Sequence, residues 1–178
     1  MSYCQFAATA QAHQNFHDSE HGFPIRDDAA LFERLVLEIS QAGLSWDIIL
    51  KRRVGMAAAF DHYDPVRIAA YDDAARARLL QDTRIIRNRL KIDAIIYNAG
   101  QILLMRESYG GFAGWLDHHH PQSLAHWVKI FRRQFRFTGG EIVNEFLMGV
   151  GYLPGAHDAD CPIADKLKSV YLPWQHTD

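Results

Sequence analysis

Cysteine is scarce in this chain. Only Cys4 and Cys161 occur among its 178 residues, separated by nearly its whole length. A secreted fold of this size relies more often on several cysteines, so the count argues against a disulfide framework. Long apolar runs are also missing: no stretch approaches the roughly 18 residues that a membrane span needs. Residues Met1 to Phe6 contain no charged segment leading into an apolar one, so no secretory signal is expected, and the cytoplasm is the expected compartment. An excess of positive charge is absent as well. Nineteen Lys and Arg face 21 Asp and Glu, for a formal net charge of −2. Any contact with nucleic acid therefore has to come from a local patch. No alternating strand pattern, internal repeat or low-complexity segment is found.

What is present suits a globular helical protein. Hydrophobic residues make up 48% and charged residues 22% of the chain, near globular averages. The length predicts a single domain over residues 1–178, with room for two closely packed helical lobes and a cleft between them. A monomer is the expected state. Residues 1–27 are polar-aromatic and read as an ordered loop or short helices. A helix is predicted from about Asp27 or Asp28, with Leu31, Leu35 and Ile39 spaced at i, i+4. It breaks at Ala42-Gly43-Leu44. Ser45 reads as the N-cap of a second helix to about Arg53. Asp64-Pro65 and Asp72-Asp73 open two more. A long helix follows over 89–107, ended by Gly110-Gly111. Helices are expected over 123–136 and 140–150, then a loop over 151–155, then a short helix and tail over 162–178. The class is all-α.

Two groups of residues carry metal-ligating chemistry. His157 and Cys161, four apart, share one face of a helical turn, and Cys4 and His17 could complete a set of two imidazoles and two thiolates. Such a set is closed and tetrahedral, as a structural zinc requires. Buried cysteines and ten histidines produce chance spacings too, so spacing leaves ordinary core residues as an alternative. The run His118-His119-His120, before Pro121, is a rival metal site that reads better as solvated surface.

Several motifs resemble the DNA-3-methyladenine glycosylase I family. They are Cys4; His17-Asp18-Ser19-Glu20-His21-Gly22; Leu37-Glu38 followed by Gln41-Ala42-Gly43-Leu44-Ser45-Trp46; Phe60 to Pro65; Ile85 to Arg89 with Lys91-Ile92; and His157 with Cys161. The resemblance spans residues 4–161. It implies a helix-hairpin-helix DNA repair fold with one structural zinc, held by Cys4, His17, His157 and Cys161, that ties the ends together. The implied activity is hydrolytic, monofunctional excision of N3-alkylated adenine from double-stranded DNA. The base is flipped out of the helix and held as a cation, which calls for an aromatic face and a carboxylate. Trp46 matches the family's stacking ring and Glu38 its base-contacting carboxylate. Phe16, Phe6, His13 and His21 fall at the other pocket positions. Gly43 and Leu44 are expected to fill the gap left in the duplex, and Arg84, Arg87, Arg89 and Lys91 to contact DNA. Taken without the resemblance, Trp46 reads as core and Glu38 as an exposed helix-face carboxylate. No lysine is placed for Schiff-base chemistry.

The chain also departs from the family pattern. Phe16 replaces a tyrosine, His21 a tryptophan, His13 a tyrosine and Phe6 a tryptophan. Arg84 and Leu90 stand where the hairpin pattern has glycine, whose bare backbone approaches a phosphate closely. A second basic run, Lys129, Arg132, Arg133 and Arg136, adds local positive charge. The departures set a second expectation: a family member that binds nucleic acid or another partner without excision, or acts on a different altered base.

Overall fold

The computed structural model describes residues 1–176 and contains no strand among them. The helices are α1 (Tyr3–Ala7), α2 (Gln11–Ser19), α3 (Asp28–Gln41), α4 (Trp46–Ala59), α5 (Pro65–Ala69), α6 (Asp73–Gln81), α7 (Arg89–Tyr109), α8 (Phe112–His119), α9 (Leu124–Gln134), α10 (Gly140–Gly149) and α11 (Pro162–Leu167). Local chemistry sets most of their starts. Asp27, Asp64, Asp72 and Asn88 each accept a hydrogen bond from a backbone N–H of the following first turn. Such caps stabilise a helix by about 1 kcal/mol each. Ser45 occupies the cap position of α4, but its hydroxyl makes no capping bond.

Helix α3 is the centre of the molecule and packs against α4, α5, α7, α8 and α10. Its Leu31, Phe32, Leu35, Val36, Leu37 and Ile39 are fully buried. Burying six such side chains contributes on the order of 10 kcal/mol before ordering costs. One large apolar cluster joins α3 to α10, and a smaller one gathers Cys161, Ile163, Leu167 and Leu172 with Cys4 and Phe23. The two ends of the chain thus share a small core of their own.

Two features differ from the sequence reading. Helix α4 runs past Arg53 to Ala59, because Met56 and Ala59 are buried and extend its packed face. Helix α8 was not expected. Gly110 ends α7 in the left-handed region, at φ 76°, and Asp28 Oδ1 then accepts the Phe112 N–H at 2.7 Å. That cap comes from 84 residues away, so no local pattern announces it. Consequently His118 and His119 lie on α8 rather than in a loop, and His119 packs against Trp115 with ring centroids 5.0 Å apart. Residues 1–27 form two short helices. Of the expected tail, residues 177 and 178 lie outside the described residues.

Candidate functional site

Cys4 sits on α1, His17 on α2, His157 in the loop after α10, and Cys161 just before α11. Their donor atoms all lie within 4.8 Å of one another. His17 Nε2 is 3.1 Å from His157 Nδ1, and the Cys161 sulfur is 3.7 Å from both. The Cys4 sulfur is 3.8 Å from His157 Nδ1. A tetrahedral zinc with these donors has edges of roughly 3.3–3.8 Å, so the set fits one. The outer ring nitrogens are fixed too. His17 Nδ1 faces Asp18 Oδ1 at 2.7 Å, and His157 Nε2 donates to the His21 carbonyl at 2.8 Å. Such partners set the tautomer that leaves the inner nitrogen free to bind a metal. Burial, with the Cys161 thiol adding to it, pushes the Cys4 thiol up to about 11. A bound divalent cation reverses that tendency.

Beside this cluster lies an inner cavity of about 320 Å³, with room for one purine. Trp46 at the start of α4 and Phe16 on α2 meet edge to face, with centroids 5.1 Å apart. Glu38 on α3, Tyr3 on α1, His21 after α2 and Glu145 on α10 also line it. Glu38 makes no hydrogen bond and no ion pair among the described residues. Burial pushes its carboxyl up to about 8, and nearby Glu145 adds to the shift. The same burial forces His21 down to about 3, so its ring is neutral. Arg34 supports the wall from behind. Its guanidinium lies 4.4 Å over the Phe16 ring and pairs with Glu20 at 2.9 Å. Glu20 also binds Arg53, which fastens α2 to α3 and α4.

The cavity opens into a cleft of about 970 Å³ that shares Glu38, Gln41 and Glu145 with it. One side is the turn from Ala42 to Ser45 and the other is the start of α10, at Gly139 and Gly140. Gly43 holds φ +82°, a conformation other residues adopt at a cost, and Leu44 is 37% exposed at the tip. Arg132 and Arg136 flank a shallow extension of this cleft.

The structure brings together Glu38, Trp46, Phe16 and His21, and sets Gly43 and Leu44 at their rim. It separates three other expected site residues from that role. Phe6 is 41% exposed and packs on His13 outside the cavity, at 4.9 Å between centroids. His13 is buried behind Tyr3, with Nε2 3.7 Å from Asp47. Neither ring lines the cavity, because α1 inserts Tyr3 in their place. Lys91 is buried, not presented to a ligand. Its ammonium donates to the carbonyls of Ser40 at 2.9 Å and Ala42 at 2.7 Å. These carbonyls close the C-terminal end of α3, where a helix leaves acceptors unpaired.

Arg84 and Arg87 stand on the exposed connection between α6 and α7, and Arg89 is the first residue of α7. Arg84 is held by Asp82, with a shortest contact of 2.7 Å, and Arg89 lies 3.8 Å from Asp93. Arg87 makes no ion pair among the described residues. Tyr3 and Glu145 escaped the sequence reading. A five-residue helix has no periodicity to read, and Glu145 looks like the solvated face of α10. Gln41 stood within a quoted motif without a role.

A family model described as methyladenine glycosylase matches residues 6–129. DNA-3-methyladenine glycosylase 1 of Escherichia coli K12 is 35% identical, over 90% of this chain and 96% of that protein. DNA-3-methyladenine glycosylase of Haemophilus influenzae is 31% identical, over 89% and 96%. Among solved structures, 3-methyladenine DNA glycosylase I of Staphylococcus aureus superposes with a TM-score of 0.82 at 29% identity, covering 92% of this chain and 96% of that one. A tyrosine-to-phenylalanine variant of a 3-methyladenine DNA glycosylase I, in complex with 3-methyladenine, gives the same score at 30% identity, over 92% and 97%. With the fold, the cavity and these relatives in agreement, the chain belongs to the methyladenine glycosylase family.

Proposed function

We propose that this protein is a monofunctional DNA glycosylase that hydrolyses the N-glycosidic bond of N3-alkylated adenine and releases 3-methyladenine. The observation that carries the reading is the inner cavity. It holds a carboxylate that has no partner among the described residues, set beside a pair of aromatic rings. The relatives' activity supports the same conclusion, as does the complex of a relative's phenylalanine variant with 3-methyladenine. Phe16 in this chain is compatible with a base site on that ground.

Alkylation at N3 makes the base a cation and weakens its bond to the sugar. The cleft takes the distorted duplex, and the flipped base enters the cavity. The Trp46 and Phe16 faces attract the cation, while the Glu38 carboxylate accepts a hydrogen bond from the base edge. As the bond from the sugar C1′ to the base nitrogen breaks, its electron pair moves to the base, which leaves neutral. A water oxygen then bonds to C1′ and loses a proton, leaving an abasic sugar. The residues hold and orient rather than react covalently, and no lysine lines the cavity to form a Schiff base.

Leu44 and Gly43, at the rim, fill the gap in the duplex. The α6–α7 connection acts as the helix-hairpin-helix element, with Arg87 and Arg89 reaching phosphates. Arg84 joins them only when it lets go of Asp82. Zinc is the metal that suits Cys4, His17, His157 and Cys161. Those four residues would hold it with no position left for a substrate, so it would cross-link the chain ends and take no part in the reaction. No helix of the described residues is long and apolar enough to cross a membrane. We place the protein in the cytoplasm as a monomer.

The test is to incubate the protein with alkylated duplex DNA and identify the free bases by chromatography. Release of 3-methyladenine is expected. Binding to the duplex with no base released would identify a binding module instead.

A further inference from the structure

Tyr3 lines the inner cavity with Glu38, Trp46 and Phe16, yet has no task in the mechanism above. Its ring is fixed from several sides. His13, His17 and His21 meet it edge to face, with centroids 6.0, 5.8 and 5.5 Å away. The chain on either side is fastened as well: Ser2 caps α1, and Cys4 belongs to the four-donor cluster. The hydroxyl therefore has little freedom to swing elsewhere. Its oxygen is buried, and its proton has no acceptor among the described residues. A buried hydroxyl without a partner is costly, and a phenylalanine ring would avoid that cost. The Trp46 indole beside it can only donate a hydrogen bond, so it gives the phenol proton no acceptor. Its O–H is left to donate into the cavity that it lines. Phe16, on the same cavity wall, offers no hydroxyl.

We propose that Tyr3 is a specificity-determining residue whose hydroxyl donates a hydrogen bond to a ring nitrogen of the excised base, alongside the Glu38 carboxylate. A hydroxyl donor and a carboxylate acceptor together match an edge that presents a ring-nitrogen acceptor next to an amino donor. Adenine carries such an edge. The inference rests on the reading of this cavity as the base site.

The experiment compares wild-type protein with Tyr3→Phe in titrations with free 3-methyladenine, followed by calorimetry. The variant is expected to bind the base several-fold to tenfold more weakly, the worth of one neutral hydrogen bond. Its affinity for abasic duplex should not change. Its melting temperature should be unchanged or raised, because an unpaired buried hydroxyl has been removed. Wild-type affinity in Tyr3→Phe would overturn the inference and leave the cavity reading intact. A weaker affinity together with a lowered melting temperature would also overturn it, by showing a packing role. If the wild-type protein itself fails to bind 3-methyladenine, the cavity reading falls and the inference falls with it.

Discussion

Glu38 is the group on which the electrostatics of the cavity turn. Burial and Glu145 raise its carboxyl from the ordinary 4.5 to about 8, with Arg34 offsetting part of the shift. The native state therefore holds a proton that the unfolded chain releases above about pH 4.5. Stability falls as pH rises from about 4.5 to about 8, and the loss is complete above that window. Glu38→Gln removes the liability. The variant should be more stable at pH 8 by on the order of a few kcal/mol, and nearly unchanged at pH 4.5. Urea unfolding at the two pH values checks this. Excision has the opposite dependence: ionised Glu38 attracts the cationic base, so base release should rise with pH through the same window. Stability and function pull apart here, as they do where a site keeps a charge the fold would discard. The sequence motif around Gln41 to Trp46 was enough to single out Glu38 and Trp46. It could not distinguish Phe16 and His21, which line the cavity, from Phe6 and His13, which do not. All four are ring-bearing residues of one segment, and only the docking of α1 decides which of them face inward.

At the scale of elements, the turn after α3 is held in two ways. Gly43 adopts φ +82° with open space around its Cα, so Gly43→Ala meets backbone strain without a clash. It should lower stability by about 1 kcal/mol. Lys91, from the first turn of α7, ties down the carbonyls of Ser40 and Ala42 and so links the start of α7 to this turn. Lys91→Met should cost about 1–3 kcal/mol by stranding acceptors, and leave the salt dependence of duplex binding unaltered. Arg87→Ala should do the reverse. It should leave stability unchanged and reduce the slope of log K against log salt by about 1. Titrations at several salt concentrations separate the two. The starts of α3, α5 and α6 were legible because Asp27, Asp64 and Asp72 are local caps. Helix α8 was not, since its cap, Asp28, lies 84 residues away in the chain. The basic run 84–91 was legible as charge, but sequence could not tell an exposed arginine from a lysine committed to a helix end.

For the whole molecule, the four-donor cluster explains why the ends of a 178-residue chain meet. Tyr3 and Phe16 directly precede Cys4 and His17 in the chain, and His21 packs on His157, so the four-donor cluster and the inner cavity share a wall. One zinc per chain should be found by elemental analysis. Its removal by a chelator should lower the melting temperature by several degrees and weaken base binding, because the cavity wall loosens. Metal-free protein with an unchanged melting temperature would speak against the cross-link. Spacing alone left the cluster one option among several, because His17 and His157 are brought together only by the tertiary fold. The base-holding role of the cavity is measured by single-turnover release of labelled 3-methyladenine from alkylated duplex, with wild-type and Glu38→Gln protein side by side. The wild type should release the base, and the variant should lose on the order of a hundredfold in rate. No release by the wild type, or undiminished release by Glu38→Gln, would contradict that role.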